Sequence, residues 1–305
     1  MSIHYYRFTR CGAINRERSP LLERLLARAD PPTAVTDWRA DAFRLIAPAT
    51  PIPGVAAAAL FAERGALDVA SVFIAAPVRY VAEMSTVRLA ADGILSLRLP
   101  EADALAADFN RVWDGAGVRL LAGRLTALYC VFDQALSATT HDPEEVRDRH
   151  IDDYLPTGSG SPRLRRLMSE TEMWLFEHAV NRTRVADSLA AANGLWLWGG
   201  GPAATSLPTA QGWSAGDDPL FKALAAGPAL PHAAAGPGVI VVTAQPGTDE
   251  WFGMESRWLR RSFAELRAGR IAGLDLSAGG RCFSLRGRWN WRPWRRRRPW
   301  WDCFA

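Results

Sequence analysis

The apolar run Leu195-Trp196-Leu197-Trp198 passes directly into Gly199-Gly200-Gly201-Pro202. Four consecutive large apolar side chains, in a run too short for a helix, demand a strand covered on both faces. In an open α/β sheet such a strand is parallel, and its carboxyl end opens into a loop where ligands sit. Residues 239–243 repeat the pattern and read as a second central strand of the same parallel region.

A different sheet pattern precedes it. Residues 69–75 read as a strand, and residues 86–89 and 94–99 as a hairpin turned by Asp92-Gly93, with Leu95, Leu97 and Leu99 alternating with polar positions. Residues 101–113 carry Leu105, Phe109 and Val112 at helical spacing, and residues 118–121 and 125–131 add two strands around Gly123. The expected fold class is therefore α/β. A mixed sheet with a parallel central region is joined by an antiparallel ββαββ side module at residues 86–131, in one compact unit.

The remaining elements follow from local signals. Ser19-Pro20 caps a helix over residues 21–29, the alanines of residues 55–61 form another, and residues 251–266 are amphipathic. Residues 163–178 form a strong helix with Leu164, Leu167, Met168, Thr171, Leu175 and His178 on one stripe. Residues 271–276 and 282–285 pair as a terminal hairpin around Gly279-Gly280. The expected division is a weakly patterned region at 1–65, an antiparallel α+β module at 66–132, an α/β core at 133–285 and an arginine and tryptophan tail at 286–305.

That tail decides how the net charge of +4 is read. Residues 286–305 hold seven arginines and one acid, Asp302, so the other 285 residues are close to neutral. No broad basic surface of the kind a dedicated nucleic-acid-binding domain presents is implied. Trp289, Trp291, Trp294, Trp300 and Trp301 lie among the arginines, while Pro293 and Pro299 interrupt any continuous membrane-surface helix. The expectation is a tail that closes over its own protein, or a C-terminal contact with a protein partner or a second copy. Nucleic acid and membrane are less favoured partners.

The four cysteines, Cys11, Cys130, Cys282 and Cys303, lack the paired spacing of a zinc site or a disulfide scaffold. No apolar stretch is long enough to span a bilayer as a helix, and no signal sequence is evident. A soluble, cytoplasmic protein is expected.

Three motifs occur in order: Asp152-Asp153-Tyr154-Leu155-Pro156, then Glu170-Thr171-Glu172-Met173 through Glu177-His178-Ala179-Val180-Asn181, then Asn193-Gly194 leading into the Leu-Trp-Leu-Trp-Gly-Gly-Gly segment. Together they resemble a bacterial family of RpfE-type regulatory proteins, described as cofactor-independent phosphoglycerate mutase-like. The resemblance extends over residues 65–300 and implies ancestry in the alkaline-phosphatase-like superfamily. It implies a diverged, noncatalytic or regulatory relative of the mutases, acting through a partner or a small anionic ligand. The alternative is a metal-dependent phosphoglycerate mutase or phosphomonoesterase.

Only that alternative calls for a cofactor, since a phosphoserine mechanism needs divalent metals held by Asp and His groups. His150, Asp152 and Glu170 are the weak metal-ligand candidates, and no catalytic residue is assigned. The ligand-binding candidates are His178, Asn181, Asn193, Gly199, Gly200 and Gly201. Glycines let backbone amides approach an anion, although Pro202 removes one donor and neither a P-loop nor a dinucleotide fingerprint is matched. His178 is expected near the end of its helix, where the C-terminal dipole favours a protonated imidazole.

Overall fold

A computed structural model describes residues 3–8, 18–225, 236–242, 249–287 and 295–304. The chain folds as two compact units rather than one: Met1–Ile52 with Pro208–Ala305, and Pro53–Leu207. The break expected at residue 132 is absent, because residues 133–207 fold with the antiparallel sheet. The parallel core is built instead from the two ends of the chain.

In the first unit, β1 (Ile3–Phe8), β2 (Thr33–Ala34), β8 (Trp213–Gly216), β9 (Gly238–Val242), β10 (Gly273–Ala278) and β11 (Arg281–Arg286) form one sheet in the order β2-β11-β10-β1-β9-β8. The four strands from β10 to β8 are parallel, and β11 and β2 close one edge antiparallel. This is the mixed sheet with a parallel centre that the sequence calls for. Val239, Ile240 and Val241 of β9 are buried, and all six residues of β10 are buried. Strands enclosed on both faces lose the polar alternation of a half-exposed strand. Asp275 and Ser277 are the buried polar residues of β10, and the Asp275 carboxylate accepts from Arg286 Nη2 at 3.0 Å and from Ser284 Oγ at 2.7 Å.

Helix α1 (Pro20–Arg28) lays Leu22, Leu25 and Leu26 into that core, with Ala29 following. Proline starts it as expected, but Ser19 does not cap it: the hydroxyl donates instead to Glu255 Oε2 at 2.7 Å. Residues 249–267 form the anticipated amphipathic helix as α9 (Asp249–Met254), a π turn over Glu255–Leu259 and α10 (Arg260–Arg267). Helices α2 (Trp38–Ile46), α8 (Pro219–Ala223) and α11 (Trp300–Cys303) complete the unit. Trp300 and Phe304 are buried in the same cluster as Leu22 and Leu25, so the described end of the tail packs on its own unit. Residues 288–294, with Trp289, Trp291 and Trp294, lie outside the described residues.

The second unit carries the antiparallel module. Strands β3 (Ser71–Ala82), β4 (Val87–Ile94), β5 (Val118–Ala122) and β6 (Leu128–Phe132) run in the order β4-β3-β6-β5, with α4 (Leu99–Val112) between the two pairs. The ββαββ order is as expected, but its first pair is β3 and β4. Asp92-Gly93 does not turn a hairpin. It belongs to a bulge in which Ala90 to Gly93 stand against Arg79, and a Cβ at Gly93 would lie 2.6 Å from the Arg79 carbonyl oxygen.

The remaining strand, β7 (Gly194–Pro202), contains Trp196 and pairs antiparallel with β3, from Gly194 opposite Val78 to Pro202 opposite Ser71. The expectation that it lies beside residues 239–243 is overturned: β7 and β9 belong to separate sheets. Helices α3 (Val55–Arg64), α5 (Pro143–Val146), α6 (Ser161–Phe176) and α7 (Ala179–Ala186) complete this unit. No helix among the described residues is long and apolar enough to cross a membrane.

Candidate functional site

Helix α6 buries Leu164, Leu167, Met168, Thr171 and Leu175, the stripe that its period specifies. It ends two residues before His178, which is the N-cap of α7 rather than the last turn of α6. His178 Nδ1 accepts from the Val180 amide at 3.2 Å, which places the ring proton on Nε2. Nε2 faces Asp108 Oδ2 of α4 at 3.1 Å, and the Trp174 ring lies edge-on at 4.8 Å.

Burial pushes the imidazole below its ordinary pKa of 6.5, outweighing the Asp108 carboxylate, which pulls it up. A protonated ring is the reverse of what the position favours. A helix N-terminus carries partial positive charge, and a proton on Nδ1 would break the capping bond. Phe109, stacked on Trp113 at 4.3 Å, meets Trp174 edge-on at 5.8 Å and extends this cluster along α4.

The two candidate asparagines are committed to backbone. Asn181 Nδ2 donates to the carbonyls of Leu175 and Ala192, each at 2.7 Å, and its Oδ1 accepts from the Ala192 amide at 2.9 Å. It ties the end of α6 to the chain entering β7. Asn193 Oδ1 accepts from the Tyr80 amide at 2.7 Å and Nδ2 donates to the Tyr80 carbonyl at 3.0 Å. The side-chain amide thereby imitates a backbone partner and extends the β3–β7 ladder by one position.

Gly199, Gly200 and Gly201 form part of β7 and do not open into a loop. The Gly199 amide donates to Thr140 Oγ1 at 3.1 Å, and Gly201 pairs with Val72. A Cβ at Gly200 would lie 2.0 Å from the Phe73 ring. The glycine there admits a buried aromatic side chain against the backbone, which is a packing use rather than an anion cradle. The six ligand candidates are thus spread over the start of α7 and the whole length of β7, and the polar contacts described for them serve the fold.

The metal candidates are not gathered. His150 is exposed with Nδ1 3.9 Å from Glu83 Oε2, and Asp152 is exposed in a 3-10 turn over Asp152–Tyr154. Glu170 of α6 accepts from Arg166 Nε at 2.7 Å, which holds its carboxyl below the usual range. Among the described residues no three His, Cys, Asp or Glu side chains converge as a metal site.

Two residues that organise this region carry no sequence signal. Asp108 is one polar residue among several on α4, and only the fold brings it to His178. Arg184 of α7 is buried and pairs with Glu101 of α4 at 2.9 Å while donating to the Ala190 and Ser96 carbonyls. A buried guanidinium needs such a partner set, but spacing in the chain does not reveal it.

No protein-family model matches the chain. Over 66 residues, 22% of this chain and 17% of its counterpart, it is 42% identical to the 2,3-bisphosphoglycerate-independent phosphoglycerate mutase of Methanothrix thermoacetophila. Over 65 residues, 21% of this chain and 16% of its counterpart, it is 35% identical to the probable 2,3-bisphosphoglycerate-independent phosphoglycerate mutase of Geobacter sulfurreducens. The similar segment spans about a sixth of the length of these relatives. The solved cofactor-independent phosphoglycerate mutase from Thermoplasma acidophilum superposes with a TM-score of 0.37 and 14% identity, over 93% of this chain and 89% of that one. A superposition that loose carries no argument about activity. The sequence similarity, held by about a fifth of the chain, makes it a relative of the cofactor-independent phosphoglycerate mutases.

Proposed function

We propose that this chain is a diverged, noncatalytic relative of the cofactor-independent phosphoglycerate mutases, a cytoplasmic regulatory protein of the RpfE type. It acts by binding a small anionic ligand or a protein partner, not by turnover. The observation that supports this reading is the commitment of His178, Asn181 and Asn193 to their own chain: both asparagine amides are spent on backbone, and the His178 ring caps α7 through Nδ1 while Nε2 is buried 3.1 Å from Asp108. A side chain whose lone pairs and protons are already engaged inside the fold has little left for a metal ion or a reacting group.

The identity to mutases over 66 residues favours a second reading, a metal-dependent phosphoglycerate mutase or phosphomonoesterase. Elemental analysis of the untagged full chain, before and after dialysis against a chelator, separates the two. The binding reading expects less than one retained equivalent of divalent metal and an unchanged melting temperature. Two tightly held ions, with a melting temperature that falls on chelation, contradict it.

A further inference from the structure

The described end of the tail is anchored by apolar side chains. Phe304 packs edge-on against Phe283 of β11 at 5.0 Å, and Trp300 is buried beside it in the first unit's core. Two backbone carbonyls fix neighbouring guanidinium groups: Arg295 Nη1 donates to Ala29 O at 3.1 Å, and Arg281 Nη1 to Cys303 O at 3.3 Å. A carbonyl orients an arginine without cancelling its charge.

Against α1 and β11 this segment encloses a cleft of about 530 Å³, a volume typical of small-molecule sites. Its lining combines apolar Leu26, Pro32 and Phe283 with Arg281, Arg295, Arg296 and Arg298, and Asp302 is the only carboxylate in it. Arg296 and Arg298 make no hydrogen bond or ion pair with the described residues. The crowding extends beyond the cleft: Arg28 is held below the usual arginine value by burial and then by the charges of Arg24, Arg297 and Arg267.

Like charges gathered around one cleft repel, and an anion between them removes that repulsion. Guanidinium forks match phosphate oxygens two at a time, which a lysine cannot do. An inorganic anion would leave the apolar lining residues unused. We propose that the cleft binds a phosphate monoester bearing an apolar or aromatic group, with the phosphate on the arginines and the apolar group on Leu26, Pro32 and Phe283. The inference rests on the anionic-ligand reading above and gives that ligand a place and a chemistry.

Calorimetric titration of the full chain with phenyl phosphate and with inorganic phosphate tests it, alongside the double variant Arg296→Glu, Arg298→Glu. Both arginines are exposed, so the variant's melting temperature is expected to match that of the parent. Phenyl phosphate should bind about tenfold tighter than inorganic phosphate, and the double variant should lose at least about tenfold in affinity for it. Equal affinities for the two probes overturn the bipartite ligand. Tight binding retained by the double variant overturns the cleft as its place while leaving an anionic ligand elsewhere in the chain. Binding of neither probe overturns both this inference and the anionic-ligand reading.

Discussion

Nε2 of His178 lies 3.1 Å from Oδ2 of Asp108, while Nδ1 of the same ring caps α7 through the Val180 amide. One imidazole therefore links two helices, and it does so in the neutral form that burial favours.

That preference sets a pH dependence with a definite sign. The folded-state pKa of His178 is below the unfolded value of 6.5, so below pH 6.5 the unfolded chain binds the extra proton more readily. The contribution to stability is fully present above pH 6.5 and is lost as pH falls through the folded value. Melting temperatures of the parent and of His178→Gln, measured from pH 7.5 to pH 5, should converge as the pH falls. Parallel curves would show that the histidine does not titrate differently on folding.

Asn181 should be costly to replace. In Asn181→Leu the Leu175 carbonyl and both Ala192 backbone groups lose their side-chain partner in a buried place, and an orphaned buried group costs about 1–3 kcal/mol. Urea unfolding is expected to show at least that loss. A change within about 0.5 kcal/mol, the range of an ordinary surface substitution, would remove the asparagine from its clamping role.

The glycines provide an internal contrast. Gly200→Ala drives a methyl group to 2.0 Å from the enclosed Phe73 ring, whereas a Cβ at Gly201 meets nothing within 4 Å. Overpacking should cost the first variant about 3 kcal/mol, and the second should stay within about 0.5 kcal/mol of the parent. Equal losses would mean that the glycine run is required for something other than the approach of Phe73.

Trp300 tests the docked tail. Removing a fully buried indole costs about 3–5 kcal/mol, so Trp300→Ala should lower the stability of the first unit by that order. If calorimetry shows the variant melting with the parent, the tail is not part of the core.

Some of this fold could be read directly from the residues. Cys282 to Leu285 return along β10 after Gly279 and Gly280, whose φ angles of 53° and 75° suit glycine and make the hairpin a local matter. Residues 239–242 are likewise strand in the parallel region. What escaped is decided by distant partners. Leu195 to Trp198 would look the same in a parallel or an antiparallel strand once both faces are covered; β3 settles the direction. The central β1 lies in the weakly patterned first 65 residues, although Tyr5 and Tyr6 are buried between β9 and β10. The engagement of His178 by Asp108 and of Asn193 by Tyr80 joins residues far apart in the chain, which no local spacing reveals.

The central claim, that the motif around His178, Asn181 and Asn193 builds the fold and performs no turnover, is tested most directly by assaying interconversion of 3-phosphoglycerate and 2-phosphoglycerate. The purified full chain would be supplied with manganese, and a matched sample treated with chelator. The account predicts no conversion above the protein-free background in either sample. Turnover that appears with manganese and disappears on chelation would contradict it.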